Sequence, residues 1–107
     1  MQHAVILETS DPERVWNAFR LANKALDAGH AVETFLVNDG VEAPDAEHEK
    51  FNPHGVLLKY TQNGGELAAC GTCMDSRGLE EDELRPRSSM DEYLRIVEDA
   101  DKVLTFS

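Results

Sequence analysis

The sequence of 107 residues lacks long hydrophobic runs and is poor in cysteine, aromatic side chains and positive charge. No apolar run approaches the roughly 20 residues that a membrane-spanning helix requires. The first residues, MQHAVILETSD, do not combine a basic region with a long apolar one, as a signal peptide does. We therefore expect no membrane span and a cytoplasmic location. Two cysteines are too few for a disulfide scaffold, and a short cytosolic dithiol is more often reactive or metal-binding than structural.

Positive charge is scarce, since 10 Lys and Arg stand against 21 Asp and Glu, for a formal net charge of −11. Such a surface repels phosphate backbones, so we expect no nucleic acid partner. The acidic residues are concentrated in two places. The range 39–49 holds five acids and no Lys or Arg, and 80–83 is four acids in a row. The pattern is typical of a solvated surface or of adaptation to high salt, and docking of a basic partner stays open.

Strand-like and helix-like segments alternate along a chain that is 41% apolar, which favours one compact domain spanning residues 1–107. Strands are predicted at His3–Glu8, His30–Gly40 (running into an Asn-Asp-Gly turn), Glu66–Cys70 and 101–106. Helices are predicted to follow a Ser10 or Asp11 cap, an Asn52 cap, and a Ser88 or Ser89 cap. A strand, a long helix and a second strand in order favour a right-handed βαβ unit with a parallel sheet.

These elements together predict a small doubly wound α/β fold, a three-layer sandwich with a mainly parallel sheet of four to five strands. Apolar residues recur with helical spacing in the first helix, at Val15, Phe19, Ala22 and Leu26. In the last helix we expect Met90, Leu94 and Val97 on the inner face. The loop ETSDPER after the first strand lacks the glycines and lysine of a phosphate loop, so we expect no nucleotide or flavin cofactor.

Both cysteines lie in one stretch, AACGTCMDSRGLEEDE, which runs from Ala68 to Glu83. Cys70 ends the third predicted strand, and sites in open parallel sheets form at the carboxyl ends of strands. We expect the following residues, GTCMDSRG, to turn into a connection or a short helical turn. Backbone N–H groups and the positive end of a helix favour the thiolate, which is the form that attacks sulfur. Arg77 is a candidate for an additional positive charge near it.

Four interpretations compete for this cysteine pair. A structural zinc site normally needs four Cys or His ligands, whereas only one Cys-x-x-Cys is present. The four histidines show no matching spacing, so we expect no intrachain metal site, while a site shared between subunits stays open. A thioredoxin-type motif follows an early strand and opens a long helix, unlike this one. The third interpretation is two small cysteines that only pack, and the fourth is a nucleophilic thiol that carries sulfur as a persulfide.

The segment CGTCMDSRG follows the short strand ELAA and precedes the last helix and strand, and in this it resembles the DsrE/DsrF-like sulfur relay family. In TusD-like members one cysteine ends the third strand and an Arg-Gly pair follows, with the glycine eight positions on. Gly78 lies eight positions after Cys70, so the resemblance implies that Cys70 carries the persulfide. It also implies a flavodoxin-like α/β fold without flavin, a trimer or hexamer of this or related subunits, and transfer of sulfane sulfur between donor and acceptor proteins in the cytoplasm.

Cys73 departs from the TusD-like pattern, which has one cysteine at this site. It is a candidate resolving thiol, which would attack the persulfide and leave a Cys70–Cys73 disulfide for a reductant to reopen. Amides of residues 71–73 and the Arg77 guanidinium are candidates to stabilise the anionic sulfur. A surface ion pair of Arg77 with Asp75 or Glu81 is the plain alternative. Whether the protein is a sulfurtransferase stays open, because an oligomeric interaction module with a redox-sensitive dithiol fits the same residues.

Overall fold

The computed structural model describes Met1 to Ser107 and alternates strands with helices along the chain. The five strands are β1 (Gln2–Leu7), β2 (Ala31–Leu36), β3 (Glu66–Cys70), β4 (Arg87–Ser88) and β5 (Lys102–Phe106). The four helices are α1 (Pro12–Asp27), α2 (Pro53–Gln62), α3 (Gly71–Asp75) and α4 (Met90–Asp99). A 3₁₀ segment covers Asn38–Asp45. None of the helices combines the length and the apolar character needed to cross a membrane.

The five strands form one sheet in the order β4-β3-β2-β1-β5, and every pair of neighbours is parallel. This confirms the predicted α/β fold with its mainly parallel sheet of four to five strands. The sequence pattern did not predict β4. With two residues, it is too short to show an alternation of apolar and polar side chains.

Helices cover both faces of the sheet, as side chains on β2 show. The Thr34 hydroxyl donates a hydrogen bond of 2.9 Å to the Tyr60 phenol oxygen on α2. The next residue, Phe35, stacks on Tyr93 of α4 with ring centroids 4.4 Å apart. Because successive strand residues point to opposite faces, α2 and α4 lie on opposite sides. Because α1 packs on α2, the fold has three layers: the pair of helices α1 and α2, the sheet, and the single helix α4.

The first two long helices begin where their capping residues predict. The Asp11 carboxylate accepts from the Arg14 N–H at 3.0 Å, and Pro12 occupies the first turn of α1. The Asn52 side chain accepts from the Gly55 N–H at 2.9 Å at the start of α2. Each bond satisfies one of the N–H groups that a helix start leaves free.

The predicted inner face of α4 is wrong for two of its three residues. Met90 and Leu94 are 57% and 59% exposed, whereas Ile96 is 2% exposed. Val97 packs against the core, as predicted. Apolar residues on α4 form two overlapping stripes, so the helical period alone does not decide which one faces inward. Stacking of Tyr93 on the sheet selects the stripe that contains Ile96 and leaves the other in solvent.

Candidate functional site

Three parallel strands end at the same edge of the sheet and bring together residues that are distant in sequence. Cys70 is the last residue of β3, Asn38 follows β2, and Glu8 follows β1. The Asn38 side-chain amide donates to the Glu8 carboxylate at 3.1 Å, and the Asn38 backbone N–H donates to the Cys73 Sγ at 3.3 Å. These bonds assemble one site at the carboxyl edge of the sheet, where open parallel sheets bind their ligands.

Cys70 is both the end of β3 and the N-cap of α3. Its Sγ accepts the Cys73 N–H at 3.3 Å, and the residue is 3% exposed. A capping position places the sulfur where the first N–H groups of the helix are free to donate. The predictions that Cys70 ends the third strand and that a short helical turn follows are both confirmed.

Cys73 lies one helical turn further on, half-buried, and both cysteines are free thiols. Burial raises the pKa of the Cys73 thiol, and a hydrogen bond with Cys70 raises it further. The Asn38 N–H and the positive charge of Arg77 act in the opposite direction without cancelling the rise. Cys73 therefore keeps its proton to a higher pH than an ordinary thiol does.

Asn38 has a backbone φ of +55°, and no other residue except glycine has a positive φ. Asparagine tolerates this left-handed conformation better than most residues, which is one reason for its frequency in turns. The conformation aims the Asn38 N–H at Cys73, and the bond to Glu8 holds the side chain. The Asn-Asp-Gly sequence predicted a turn here, but nothing local to it indicated a contact with a cysteine.

Arg77 lies beside Cys73 and binds its backbone. The guanidinium donates to the Cys73 carbonyl at 3.1 Å and to the Asp39 carboxylate at 2.7 Å. Glu42 is a second, weaker partner, with an N···O distance of 3.9 Å. The suggested alternative, an ion pair of Arg77 with a carboxylate, is found with Asp39, whereas the partners named from the sequence are wrong: Asp75 binds the Arg87 guanidinium and Glu81 accepts from the Arg87 backbone N–H.

Arg87 lies against Gly71, the residue after Cys70, and the sequence pattern did not indicate it. Its two terminal nitrogens bind the Asp75 carboxylate in a bidentate pair at 2.8 Å each, which lowers the pKa of Asp75. The guanidinium covers Gly71, where an added methyl group would come within 3.0 Å of the Arg87 Cζ. Pairing of β4 with β3 sets Cys70 against Ser88 and so brings Arg87 to the site.

Arg85 fixes the loops that flank the thiols. It is 5% exposed and donates to the Val41 carbonyl and to the Asp45 carboxylate, both at 2.9 Å. A further bond of 3.1 Å reaches the Asp82 carboxylate. This buried cation cross-links the 3₁₀ segment to the chain that leads into β4.

The histidines lie away from the thiols. His3 and His30 pack edge to face with ring centroids 4.9 Å apart at the opposite, amino edge of the sheet. His54 contacts the Pro44 carbonyl, and His48 binds the Lys50 N–H in an exposed loop. No group of three or more His, Cys, Asp or Glu side chains is arranged to hold a metal ion.

Comparisons with known proteins identify a family and a fold. The family model described as DsrE/DsrF-like matches residues 1–106. The uncharacterized protein MK0008 of Methanopyrus kandleri is 33% identical, with 88% of this chain and 83% of the relative covered. The uncharacterized protein MJ0989 of Methanocaldococcus jannaschii is 35% identical, with 88% of each chain covered.

Solved structures show the same fold. The crystal structure of the ychN protein from E. coli has a TM-score of 0.84 and 28% identity, and the match covers 99% of this chain and 100% of that one. MTH1491 from Methanobacterium thermoautotrophicum, a protein of unknown function, has a TM-score of 0.75 at 13% identity, with 97% of each chain covered. The second likeness is at too low an identity to indicate more than the fold.

Proposed function

The chain belongs to the DsrE/DsrF-like family, and on that premise we propose that it is a cytoplasmic sulfur-relay protein, similar to a sulfurtransferase, that carries sulfane sulfur as a persulfide on Cys70. The observation that carries the proposal is the hydrogen bond from the Cys73 N–H to the Cys70 Sγ at the start of α3. An N–H donor at a helix start favours an anionic sulfur, and the thiolate is the nucleophile in sulfur exchange.

Loading is a displacement at the sulfane sulfur of a donor persulfide. The Cys70 thiolate forms a bond to that sulfur, the S–S bond of the donor breaks, and the donor leaves as a thiolate. In one route of release, an acceptor thiol takes the sulfur in the same manner. In the other, Cys73 attacks the Cys70 sulfur, hydrosulfide leaves, and a Cys70–Cys73 disulfide remains for a thiol reductant to reopen. Arg77, which binds the Cys73 backbone, supplies positive charge at that end of the site.

The partners in this proposal are a sulfur donor protein, a sulfur acceptor protein and further copies of the chain in a trimer or hexamer. Family membership supports assembly, since DsrE-like proteins are often oligomeric. Exposure of Met90 and Leu94 on α4 supports it as well, because exposed apolar patches frequently mark interaction surfaces.

The proposal is tested by intact mass. Reduced protein is incubated with a low-molecular-weight persulfide, and a cyanide-labile gain of one sulfur atom is expected. The gain should be lost in Cys70→Ser and kept in Cys73→Ser, because only Cys70 is the carrier. No gain in the wild-type protein, or a gain that depends on Cys73 alone, would contradict the assignment.

Burial of Cys70 at 3% exposure favours a second candidate function, an oligomeric interaction module whose dithiol responds to oxidation without carrying sulfur. Such a module would form the Cys70–Cys73 disulfide in oxidant. It would gain no sulfur from a persulfide donor, so the same mass measurement separates the two functions.

A further inference from the structure

The two sulfurs of the site form one hydrogen-bonded unit. The Cys73 N–H donates to the Cys70 Sγ at 3.3 Å, and the Asn38 N–H donates to the Cys73 Sγ at 3.3 Å. Two negative charges at such close range repel each other strongly, so one of two neighbouring acids keeps its proton when the other ionises. In its reactive state the pair therefore holds one thiolate and one thiol.

The surroundings of the two cysteines differ in a way that divides these roles. Cys70 caps α3 and is 3% exposed, whereas Cys73 lies one helical turn further on and is half-buried, on the solvent side of the pair. An ordinary thiol is already protonated at neutral pH, and burial together with the bond to Cys70 raises the pKa of Cys73 further. With Cys70 as the nucleophile of the proposed function, Cys73 is the thiol beside it that can hold a proton.

Access to the site runs past Cys73, because that residue is half-buried while Cys70 is 3% exposed. A donor persulfide that reaches Cys70 has its departing sulfur on the solvent side, next to Cys73. Resting on the function proposed above, we propose that Cys73 is a catalytic acid, which protonates the thiolate that leaves the donor when Cys70 takes its sulfur.

The step balances without an external oxidant or reductant. The Cys70 thiolate bonds to the sulfane sulfur, and the S–S bond of the donor breaks with its electron pair on the leaving sulfur. That sulfur takes the proton of the Cys73 thiol and departs as a neutral thiol. Cys73 is left as a thiolate, which regains a proton from solvent or becomes the nucleophile of the release step.

The test compares wild-type protein with Cys73→Ala and Cys73→Ser in single-turnover loading by glutathione persulfide from pH 6 to pH 10. The ratio of wild-type to variant rates cancels the ionisation of the donor, and the thiolate fraction of Cys70, followed at about 240 nm over the same pH range in each protein, is used to correct each rate for the ionisation of Cys70. We expect loading to be about 100-fold slower in Cys73→Ala near neutral pH, a typical effect of a positioned acid. The ratio should fall towards one at high pH, where the Cys73 thiol has lost its proton. Circular dichroism and urea midpoints establish that the variants are folded.

A leaving-group comparison sharpens the test. An aromatic disulfide expels a weakly basic thiolate that needs no proton, whereas an aliphatic disulfide expels a basic one. Cys73→Ala should therefore react with the aromatic probe at the wild-type rate and lose rate only with the aliphatic probe. A rate ratio that is independent of pH, or equal losses with both probes, would overturn the acid role while Cys70 still gained its sulfur. Absence of any sulfur gain in the wild-type protein would instead overturn the proposed function.

Discussion

Gly71 is the residue that lets a guanidinium approach the Cys70 end of the site. A methyl group at this position would lie 3.0 Å from both Cζ and Nε of Arg87, closer than ordinary packing permits. The Arg87 side chain is 47% exposed, so it can swing into solvent at small cost in stability. We expect Gly71→Ala to displace the guanidinium from Asp75 and to leave the protein folded.

Asp75 reports this displacement, because the hydrogen bonds from Arg87 are the main cause of its lowered pKa. In Gly71→Ala the pKa of Asp75 should return towards the ordinary value, as followed by carboxyl NMR shifts during a pH titration. Arg87→Gln should give the same return, and Thr72→Ala, on the exposed side of α3, should give none. An unchanged Asp75 titration in Gly71→Ala would mean that Arg87 can share the space with a methyl group.

Some residues of the site could be placed there from the sequence alone, and others could not. Cys70 could be placed because a short apolar strand ends at it, and that is a local signal. Asn38 and Arg87 could not be placed from the sequence. The contact of Asn38 with the thiol segment spans 35 residues of sequence, and that of Arg87 spans 12. Such contacts depend on strand order and on the two-residue β4, which a local pattern does not contain.

Among the elements, β1 carries a histidine that makes stability depend on pH. The pKa of His3 is lowered first by burial and then by the nearby charges of His30, the Met1 amino group and Lys102. Asp101 acts in the opposite direction with less effect. In the unfolded chain His3 has its ordinary pKa of 6.5, so below that pH the unfolded state binds more protons than the folded one. The free energy of unfolding should therefore fall as the pH drops from about 6.5 through the folded pKa.

His3→Leu should remove the part of the acid destabilisation that His3 causes. A leucine side chain has no proton to bind, and it suits the neighbouring Val5 and Leu104. Urea midpoints at pH 7.5 and pH 5 measure the effect, with a smaller difference expected in the variant than in the wild type. His48→Gln, in an exposed loop, serves as the matched control and should keep the wild-type difference. If His3→Leu also kept the wild-type difference between the two urea midpoints, the acid sensitivity would originate from another residue.

The elements also show where sequence patterns suffice and where they fail. Helix starts were predictable because Asp11 and Asn52 bond within their own first turns. The orientation of α4 was not, because its apolar residues outnumber those that one sheet face can bury. Contacts with β2 decide the orientation, through stacking of Phe35 on Tyr93 and through a 2.8 Å ion pair between Glu33 and Arg95.

For the whole molecule the formal net charge is −11, and several of the carboxylates lie at the thiol edge. Asp39 and Glu42 flank Arg77 there, and Asp45 and Asp82 bind Arg85. Every arginine of this edge is therefore paired with at least one carboxylate, and the uncompensated charge is negative. This edge therefore attracts a positively charged partner and repels the same edge of a second copy of the chain.

Assembly of identical copies has to overcome this like charge, which makes it sensitive to salt. We expect light scattering after gel filtration to give a trimer or larger, with the assembly tighter in molar potassium chloride than at low salt, because salt screens the repulsion between copies. Leu94→Glu, at a side chain that is 59% exposed on α4, should dissociate the assembly by adding charge to an apolar contact. Leu21→Glu, 48% exposed on the opposite helical layer, should not. A clean monomer at micromolar concentration in both salts would remove assembly from the proposed function and leave the chemistry of Cys70 and Cys73 to a single chain.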